Sequence, residues 1–298
     1  MGIALPTVRV WIRRWERWGP APRDLLTAGF VLLVGWFCLR ALTNPASFID
    51  ASAYYAAPLA YPYGVSTLGV HGAYLYSPAF LQAITPLRLL PPGIFVALFV
   101  CAEAAALIAL TGRRAGAVAL VGFFIVRSEL NVANINLLLT VAMVAGFRWP
   151  ALWSAVLLTK VTPGVGLLWF ALRREWGALA VALGATVAIA ALSWTAAPAL
   201  WKQWIGVLLT NGGQPGILPL RLCLAAALIV WAAPRGQRWA VPVAATLGMP
   251  DMFGLAALAM LVGVVPLARS RHAPQVRRSA GGDEANPEAP AHDPDVHP

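Results

Sequence analysis

The feature that most constrains this chain is its central stretch, residues 25–268, in which only 18 of 244 residues carry a charge. Charged residues make up roughly a quarter of an ordinary soluble domain but 11% of this chain. A soluble protein of this size needs more polar side chains to cover its surface. Lipid removes that need and favours helices, which satisfy their own backbone hydrogen bonds. We therefore expect an all-α, multi-pass integral membrane protein.

The apolar residues fall into nine segments, several of them shorter than the roughly 20 residues with which a helix crosses a bilayer. They lie near residues 25–42, 92–111, 115–126, 136–147, 151–172, 177–194, 216–233, 239–249 and 253–268. Short or broken helices are tolerated in a membrane where they line a water-filled cavity. We predict about eight to ten transmembrane helices, some of them broken, around an outward-facing cavity.

The distribution of Lys and Arg predicts the orientation in the plasma membrane. Residues 1–24 are rich in Arg and Trp and are expected to form a cytoplasmic interfacial segment before an uncleaved anchor. Residues 25–268 form the transmembrane domain. Within it, 43–91 are the first outer loop, including a juxtamembrane helix at 78–90. The tail 269–298 is expected to be cytoplasmic and disordered. This orientation accounts for the net charge of +10 without a nucleic-acid partner.

The first outer loop contains an unusual concentration of polar and aromatic residues. All six tyrosines of the chain lie between residues 43 and 77, together with His71 and a single carboxylate, Asp50. Most of the tyrosines could form an interfacial aromatic belt. Such a belt does not explain Asp50, because an acid beside the membrane is a functional candidate by default.

Other polar residues are expected to meet Asp50 on the outer face, although they are far apart in the sequence. They are Arg127, Glu129, Asn131, Asn134, Asn136, Lys160, Lys202, Asn211, Gln214, Arg221 and Asp251. Basic side chains bind phosphate, and a carboxylate can accept the proton of an attacking hydroxyl. The set therefore suits an anionic, hydroxyl-rich substrate. A structural alternative is that Arg127 pairs with Glu129 and that Lys160 only extends to the interface.

Four short motifs follow one another in a characteristic order. They are Asp50-x-x-x-Tyr54-Tyr55, Leu75-Tyr76-Ser77-Pro78, the run Ala133-Asn134-Ile135-Asn136-Leu137-Leu138-Leu139, and Lys160-Val161-Thr162-Pro163 followed by Arg173-Arg174-Glu175-Trp176. We expect Lys160-Val161-Thr162-Pro163 to form a turn between two half-length helices. This order resembles the polyprenol-phosphate-mannose-dependent mannosyltransferases of glycosyltransferase family 87, which have the GT-C fold. Three positions differ. Ser77 replaces a Pro, Ala133-Asn134 replaces Gly-Gln, and residues 247–252 lack the His that members often have there.

The resemblance implies a reaction and a role for each matching residue. The enzyme would transfer a hexose, with mannose favoured, from a polyprenyl-phosphate donor to a lipid or glycan acceptor at the outer face, with inversion. Asp50 would be the catalytic base, and Lys160, with Arg127 and Arg221, would bind the donor phosphate. Sugar or acceptor binding would fall to Tyr54, Tyr55, His71, Tyr76, Asn134, Asn136 and Asp251. No metal or cofactor is implied, because one carboxylate does not form a cage for a divalent ion.

Two other functions stay open from the sequence alone. A lipid or sugar transporter or flippase would also place polar residues beside broken helices, although its site is expected at the midplane rather than at one face. An inactive membrane scaffold of the same fold is the other alternative.

Overall fold

The computed structural model describes residues 20–65, 70, 72–210, 217–249 and 255–269. These residues contain helices and connecting turns, with no β-strand among them. The α-helices are α1 Pro20–Thr43, α2 Ile49–Ala56, α3 Pro78–Ile84, α4 Pro92–Thr111, α5 Ala115–Val121, α6 Phe123–Val132, α7 Asn136–Ala145, α8 Trp153–Thr159, α9 Leu168–Leu172, α10 Trp176–Ala196, α11 Pro198–Thr210, α12 Leu218–Ala232, α13 Ala240–Leu247 and α14 Val264–Arg269. Short 3₁₀ helices lie at Pro45–Ser47, Pro62–Gly64, Thr85–Leu89, Gly112–Arg114, Pro150–Leu152, Thr162–Leu167 and Ala256–Gly263. The prediction of an all-α chain is confirmed for the described residues.

Three helical stretches of the described chain are long and apolar enough to cross a bilayer. They are Ala21–Thr43, Pro92–Val121 and Trp176–Ala196. A fourth span results if α6 and α7, which meet at an angle of 109°, are counted as one broken helix. The remaining apolar helices are shorter than a full span, as the lengths of the apolar segments indicated.

The break between α6 and α7 is made by a residue in an unusual conformation. Ala133 adopts the left-handed region, with φ 49° and ψ 55°, immediately after α6 ends. Glycine adopts this region readily, whereas a residue with a Cβ is strained there. Asn134 and Ile135 then turn the chain so that α7 begins at Asn136. A polar segment is thereby held inside an otherwise apolar bundle.

A second break lies where the sequence predicted a turn between two half-length helices. Helix α8 ends at Thr159, and Lys160 has an extended backbone before the 3₁₀ helix Thr162–Leu167 begins. Pro163 cannot donate a hydrogen bond to a continuing helix, which explains the interruption. The two breaks therefore place Asn134 and Lys160 between helices and Asn136 at the first residue of α7.

Close packing of α1 against the following helices depends on two glycines. A Cβ on Gly93 would lie 2.9 Å from the Cα of Leu42, and one on Gly116 would lie 2.5 Å from the carbonyl oxygen of Leu26. Small residues at such contacts allow helix backbones to approach each other in membranes. Helix α1 is thereby fixed against α4 and α5.

The predicted juxtamembrane segment is a short helix, α3, followed by the 3₁₀ turn Thr85–Leu89. Ser77 caps α3, since its hydroxyl accepts a hydrogen bond from Phe80 N at 3.3 Å. The same hydroxyl donates to the carbonyl oxygen of Leu158 near the end of α8. The segment that begins α3 is therefore tied to the second helix break, two residues before Lys160.

Candidate active site

The short helix α2 presents Asp50 and Tyr54 on one face, because residues four apart lie one helical turn above each other. Asp50 is half-buried, and Tyr54 is fully buried. Tyr55 points elsewhere: its hydroxyl donates to the carbonyl oxygen of Leu90 at 3.2 Å, and its ring packs on Phe95. Of the two predicted tyrosines, the structure joins Tyr54 to the cluster around Asp50.

Asn134, at the first helix break, is the central contact of this cluster. Its Nδ2 donates to Asp50 Oδ2 at 2.7 Å. Its Oδ1 accepts from Ile135 N at 2.7 Å and from the Tyr76 hydroxyl at 3.4 Å, and it lies 3.3 Å from the Tyr54 hydroxyl. Because the NH2 group of Asn134 faces an acceptor and its oxygen faces donors, the amide has one favourable orientation. It therefore holds the Asp50 carboxylate in one position.

Lys160, at the second helix break, contacts both asparagines. Its Nζ lies 3.2 Å from Asn134 Oδ1 and 2.6 Å from Asn136 Oδ1. It also lies 5.8 Å from the centre of the Tyr76 ring, within the range of a cation–π interaction. The ammonium group is therefore placed beside the amide that holds Asp50.

Asn136 connects Lys160 to a second carboxylate, that of Glu129. Asn136 donates its backbone N–H to Glu129 Oε1 at 2.8 Å and its Nδ2 to Oε2 at 3.0 Å. Nδ2 also lies 3.3 Å from the carbonyl oxygen of Ala256. Both Glu129 and Asn136 are almost completely buried. Their polar atoms are paired with each other, as the cost of burying them requires.

The two tyrosine hydroxyls complete the buried side of the site. Tyr54 donates to the Tyr76 hydroxyl at 2.8 Å, and the two rings meet edge to face. Burial, and next the neighbouring Tyr76 and Asp50, raises the pKa of the Tyr54 hydroxyl well above its ordinary value. Tyr54 therefore stays neutral at physiological pH and keeps its proton for hydrogen bonding.

The other predicted site residues lie apart from this cluster or outside the described residues. Arg127 is exposed on α6, and Arg221 is half-buried and donates from Nε to the carbonyl oxygen of Leu247 at 3.0 Å. Asn131 accepts a hydrogen bond from Arg40, and Lys202 is exposed on α11. His71, Asn211, Gln214 and Asp251 lie outside the residues that the structure describes.

The sequence did not predict a role for Glu129 in the site. It suggested only that Glu129 forms a structural pair with Arg127. In the structure Arg127 is exposed whereas Glu129 is fully buried. Residues two apart on a helix do not face each other, which explains the difference. One feature of the sequence could have indicated this contact. Glu129 lies seven residues before Asn136, and both polar side chains need hydrogen-bond partners within an apolar segment.

These contacts connect residues from all four motifs noted in the sequence, in the segment before α4 and at the two helix breaks. The sequence profile of glycosyltransferase family 87 matches residues 74–282, more than half of the chain. The chain belongs to glycosyltransferase family 87. No curated protein and no solved structure matches it.

Family membership gives the general activity and the setting of this glycosyltransferase. Such an enzyme uses a sugar donor and an acceptor, and its apolar helices together with the family indicate a membrane protein. The matched range includes Tyr76, Asn134, Asn136 and Lys160 but begins after Asp50. The place of Asp50 in the site therefore rests on its hydrogen bond with Asn134.

Proposed function

We propose that this glycosyltransferase transfers a hexose from a polyprenyl-phosphate sugar to a hydroxyl of a lipid or glycan acceptor, with inversion at the anomeric carbon. Mannose is the first sugar to test. The observation that carries the proposal is that the Asn134 amide holds the Asp50 carboxylate at 2.7 Å and contacts the Lys160 ammonium at 3.2 Å. A base and a cation are thus joined through one side chain.

In the proposed step, Asp50 accepts the proton of the acceptor hydroxyl. The acceptor oxygen forms a bond to the anomeric carbon from the face opposite the lipid phosphate. The bond between that carbon and the phosphate oxygen breaks, and its electron pair leaves with the phosphate. The proton ends on Asp50, and the lipid monophosphate is the second product.

Charge develops on the leaving phosphate, so a fixed cation near it lowers the barrier. Lys160 suits this role, because Asn134 and Asn136 hold its ammonium in place by their oxygens. Arg221 is a second candidate. Its Nε donates to the carbonyl oxygen of Leu247, and its Nη2 is buried without a hydrogen-bond partner among the described residues. Arg127 is a third, since it is exposed on the helix that leads to the first break.

Hydroxyls of the sugar or acceptor would meet the polar groups around Asp50. Tyr54, Tyr76, Asn134 and Asn136 provide phenol and amide groups there, and a sugar also packs against aromatic faces. His71 and Asp251 remain part of this proposal from the sequence. The donor would enter from the outer leaflet, in which its polyprenyl chain stays while the phosphate reaches Lys160.

The membrane arrangement is also proposed. The helices would form a GT-C-type bundle of about eight to ten spans in the plasma membrane, with both termini cytoplasmic and residues 43–91 outside. The short apolar helices Pro150–Thr159 and Thr162–Leu172 would together account for one broken span. An outer-face site is consistent with a part in cell-envelope synthesis.

The test is transfer of radiolabelled hexose from purified polyprenyl-phosphate donors to a membrane lipid extract by the purified enzyme. We expect Asp50→Asn to lose at least roughly 10²-fold of the activity, since it cannot accept the proton. Asp24→Asn is the matched control, because Asp24 is an exposed carboxylate on α1 and its replacement changes the charge equally. Full transfer by Asp50→Asn, at normal membrane levels, would show that Asp50 is not the base.

A second experiment tests the side of the membrane. Asp50→Cys, in a chain whose three native cysteines are replaced by serine, is treated with an impermeant maleimide on intact cells and on inverted vesicles. We expect labelling from the outside only. Labelling from both sides would favour a transporter, whose site opens to each side in turn.

A further inference from the structure

We infer that Glu129 is a positioning residue for Lys160 and that it acts through the side chain of Asn136. The inference rests on the transfer reaction proposed above, in which Lys160 stabilises the leaving phosphate. Glu129 itself is fully buried and its oxygens accept from Asn136, so its effect on the reaction passes through that side chain.

The orientation of the Asn136 amide is the link between the two charged groups. Glu129 Oε2 and the carbonyl oxygen of Ala256 both accept from it, so Nδ2 must face them. The ammonium of Lys160 can only donate, so Oδ1 must face it, at 2.6 Å. A carboxylate at position 129 therefore dictates that an oxygen, and not an NH2 group, meets Lys160.

A second buried glutamate provides the contrast. Glu103 on α4 is also fully buried, and its Oε2 accepts from Leu137 N at 3.2 Å, one residue after Asn136. It lies close enough to Glu129 for the two carboxyl groups to interact, and its Oε1 is buried without a hydrogen-bond partner among the described residues. Both glutamates thus receive backbone N–H groups from the start of α7, but only Glu129 bonds to the side chain that meets Lys160.

Replacing Glu129 by Gln keeps the shape and changes this pattern. If the new NH2 group faces the NH2 group of Asn136, two donors meet and cannot bond to each other. If Asn136 then turns to accept from the new amide, it presents its own NH2 group to Lys160 and repels it. If it does not turn, a buried donor is left unpaired. In either case Lys160 loses the buried carboxylate on the far side of Asn136.

The first part of the experiment measures sugar transfer by wild type, Glu129→Gln and Glu103→Gln in the same detergent. We expect Glu129→Gln to lower kcat roughly ten- to a hundredfold, the effect of disturbing a hydrogen bond to a charged group. Glu103→Gln keeps an acceptor for Leu137 and does not contact the Asn136 side chain that meets Lys160, so it is expected to stay within about threefold of wild type. Equal losses in the two variants would overturn the inference.

A rescue variant separates positioning from a general effect on folding. The double change Glu129→Gln with Asn136→Asp exchanges the amide and the carboxylate. The amide now at position 129 donates to the carboxylate now at position 136, which in turn accepts from Lys160. The exchange keeps the net charge, and it keeps an acceptor for the backbone N–H of residue 136. We expect it to recover at least about half of the lost activity on a logarithmic scale. An exchange that folds yet is as inactive as Glu129→Gln would overturn the inference.

The last readout needs no substrate, so it distinguishes failure of this inference from failure of the proposed function. The chain has two lysines, Lys160 and the exposed Lys202, and reductive methylation of each is followed by peptide mass spectrometry at pH 8. Removing the buried anion favours the uncharged, reactive amine. We expect Glu129→Gln to speed labelling of Lys160 roughly tenfold, with Lys202 unchanged and Glu103→Gln like wild type.

The outcome of the lysine-labelling test does not depend on the outcome of the sugar-transfer test. Faster labelling of Lys160 in Glu129→Gln alone supports the positioning of Lys160 even if no polyprenyl-phosphate sugar is transferred by the wild type. Identical labelling rates in all three proteins, all of them folded by thermal melting, would overturn the inference even if the wild type is an active transferase.

Discussion

Two chains of hydrogen bonds, here called arms, meet at Lys160. Each consists of a carboxylate and an asparagine, but the two carboxylates have different roles. In the Asp50 arm, Asp50 binds Asn134; in the Glu129 arm, Glu129 binds Asn136. Each amide turns its oxygen to the same ammonium. Asp50 is half-buried on a short loop helix, whereas Glu129 is fully buried between helices. A carboxylate that a substrate can reach can take a proton from it, whereas a fully buried one can only organise its neighbours.

The difference in burial also predicts how each arm responds to damage. A buried carboxylate that loses its partner costs about 3–5 kcal/mol, because nothing replaces the lost hydrogen bonds. A half-exposed carboxylate can be hydrated by water instead, so its loss of a partner costs less. We therefore expect substitutions in the Glu129 arm mainly to lower the stability of the protein, and substitutions in the Asp50 arm mainly to lower its activity.

The largest effect is expected where the two arms meet. Lys160→Met keeps most of the length of the side chain and removes its charge, so the leaving phosphate loses its cation. We expect sugar transfer to fall roughly 10²–10³-fold, the range for removing one group that stabilises developing charge. Lys202→Met is the control and is expected to keep wild-type activity, since Lys202 is exposed on α11.

Normal transfer by Lys160→Met would assign the phosphate to another cation, and Arg221 would be tested next by the same assay. Arg221→Met removes the bond to the Leu247 carbonyl as well, so its melting temperature must be measured beside its activity.

The sharpest comparison of the arms replaces each asparagine by leucine, which is also branched at Cγ. Asn136→Leu leaves Glu129 without the side-chain amide that it accepts from, and we expect it to lower the free energy of unfolding by about 3–5 kcal/mol. Asn134→Leu leaves Asp50 half-exposed, and we expect a stability loss of about 1–2 kcal/mol with a larger loss of activity. Thermal melting in detergent and the transfer assay measure the two effects separately. Equal melting temperatures would contradict the distinction between the arms.

The sequence predicted the all-helical character of the described residues and most of the residues that meet around Asn134. Long apolar runs indicated the membrane helices, and the Lys160–Pro163 segment correctly predicted a break, because proline and a charged side chain interrupt a span. Asp50, Tyr54 and Lys160 were predicted as site residues from charge, spacing and resemblance, and the structure brings them together with Asn134.

The role of Glu129 could not be predicted, because it depends on which face of α6 is buried. Charge alone suggested a pair with Arg127, whereas the fold buries Glu129 and turns it to Asn136. Tyr54 and Tyr55 were likewise equivalent in sequence. Only the packing of α2 against α4, with Tyr54 against Phe99 and Tyr55 against Phe95, separates their directions.

A smaller effect tests that separation of the two tyrosines. Tyr54→Phe removes the hydroxyl that donates to Tyr76 at 2.8 Å and contacts Asn134 at 3.3 Å. We expect activity to fall roughly five- to tenfold, with a stability loss of about 1 kcal/mol, the usual value of one hydrogen bond. Tyr55→Phe loses only the bond to Leu90 and should keep activity within about twofold. A larger loss of activity in Tyr55→Phe would place Tyr55, not Tyr54, against the substrate.

The smallest effect is expected at Ala133, which sets the direction of the chain between the two arms. Its left-handed backbone costs a residue with a Cβ about 1–2 kcal/mol, and glycine avoids that cost. Ala133 is also fully buried, so the lost methyl group opposes the gain by about 0.8 kcal/mol. We therefore expect Ala133→Gly to change stability by less than about 1 kcal/mol, in the stabilising direction. Ala106→Gly, at a buried position inside α4, has no strain to relieve and should lose about 1–2 kcal/mol. If both variants melt equally far below wild type, the left-handed backbone at Ala133 holds no strain that glycine relieves.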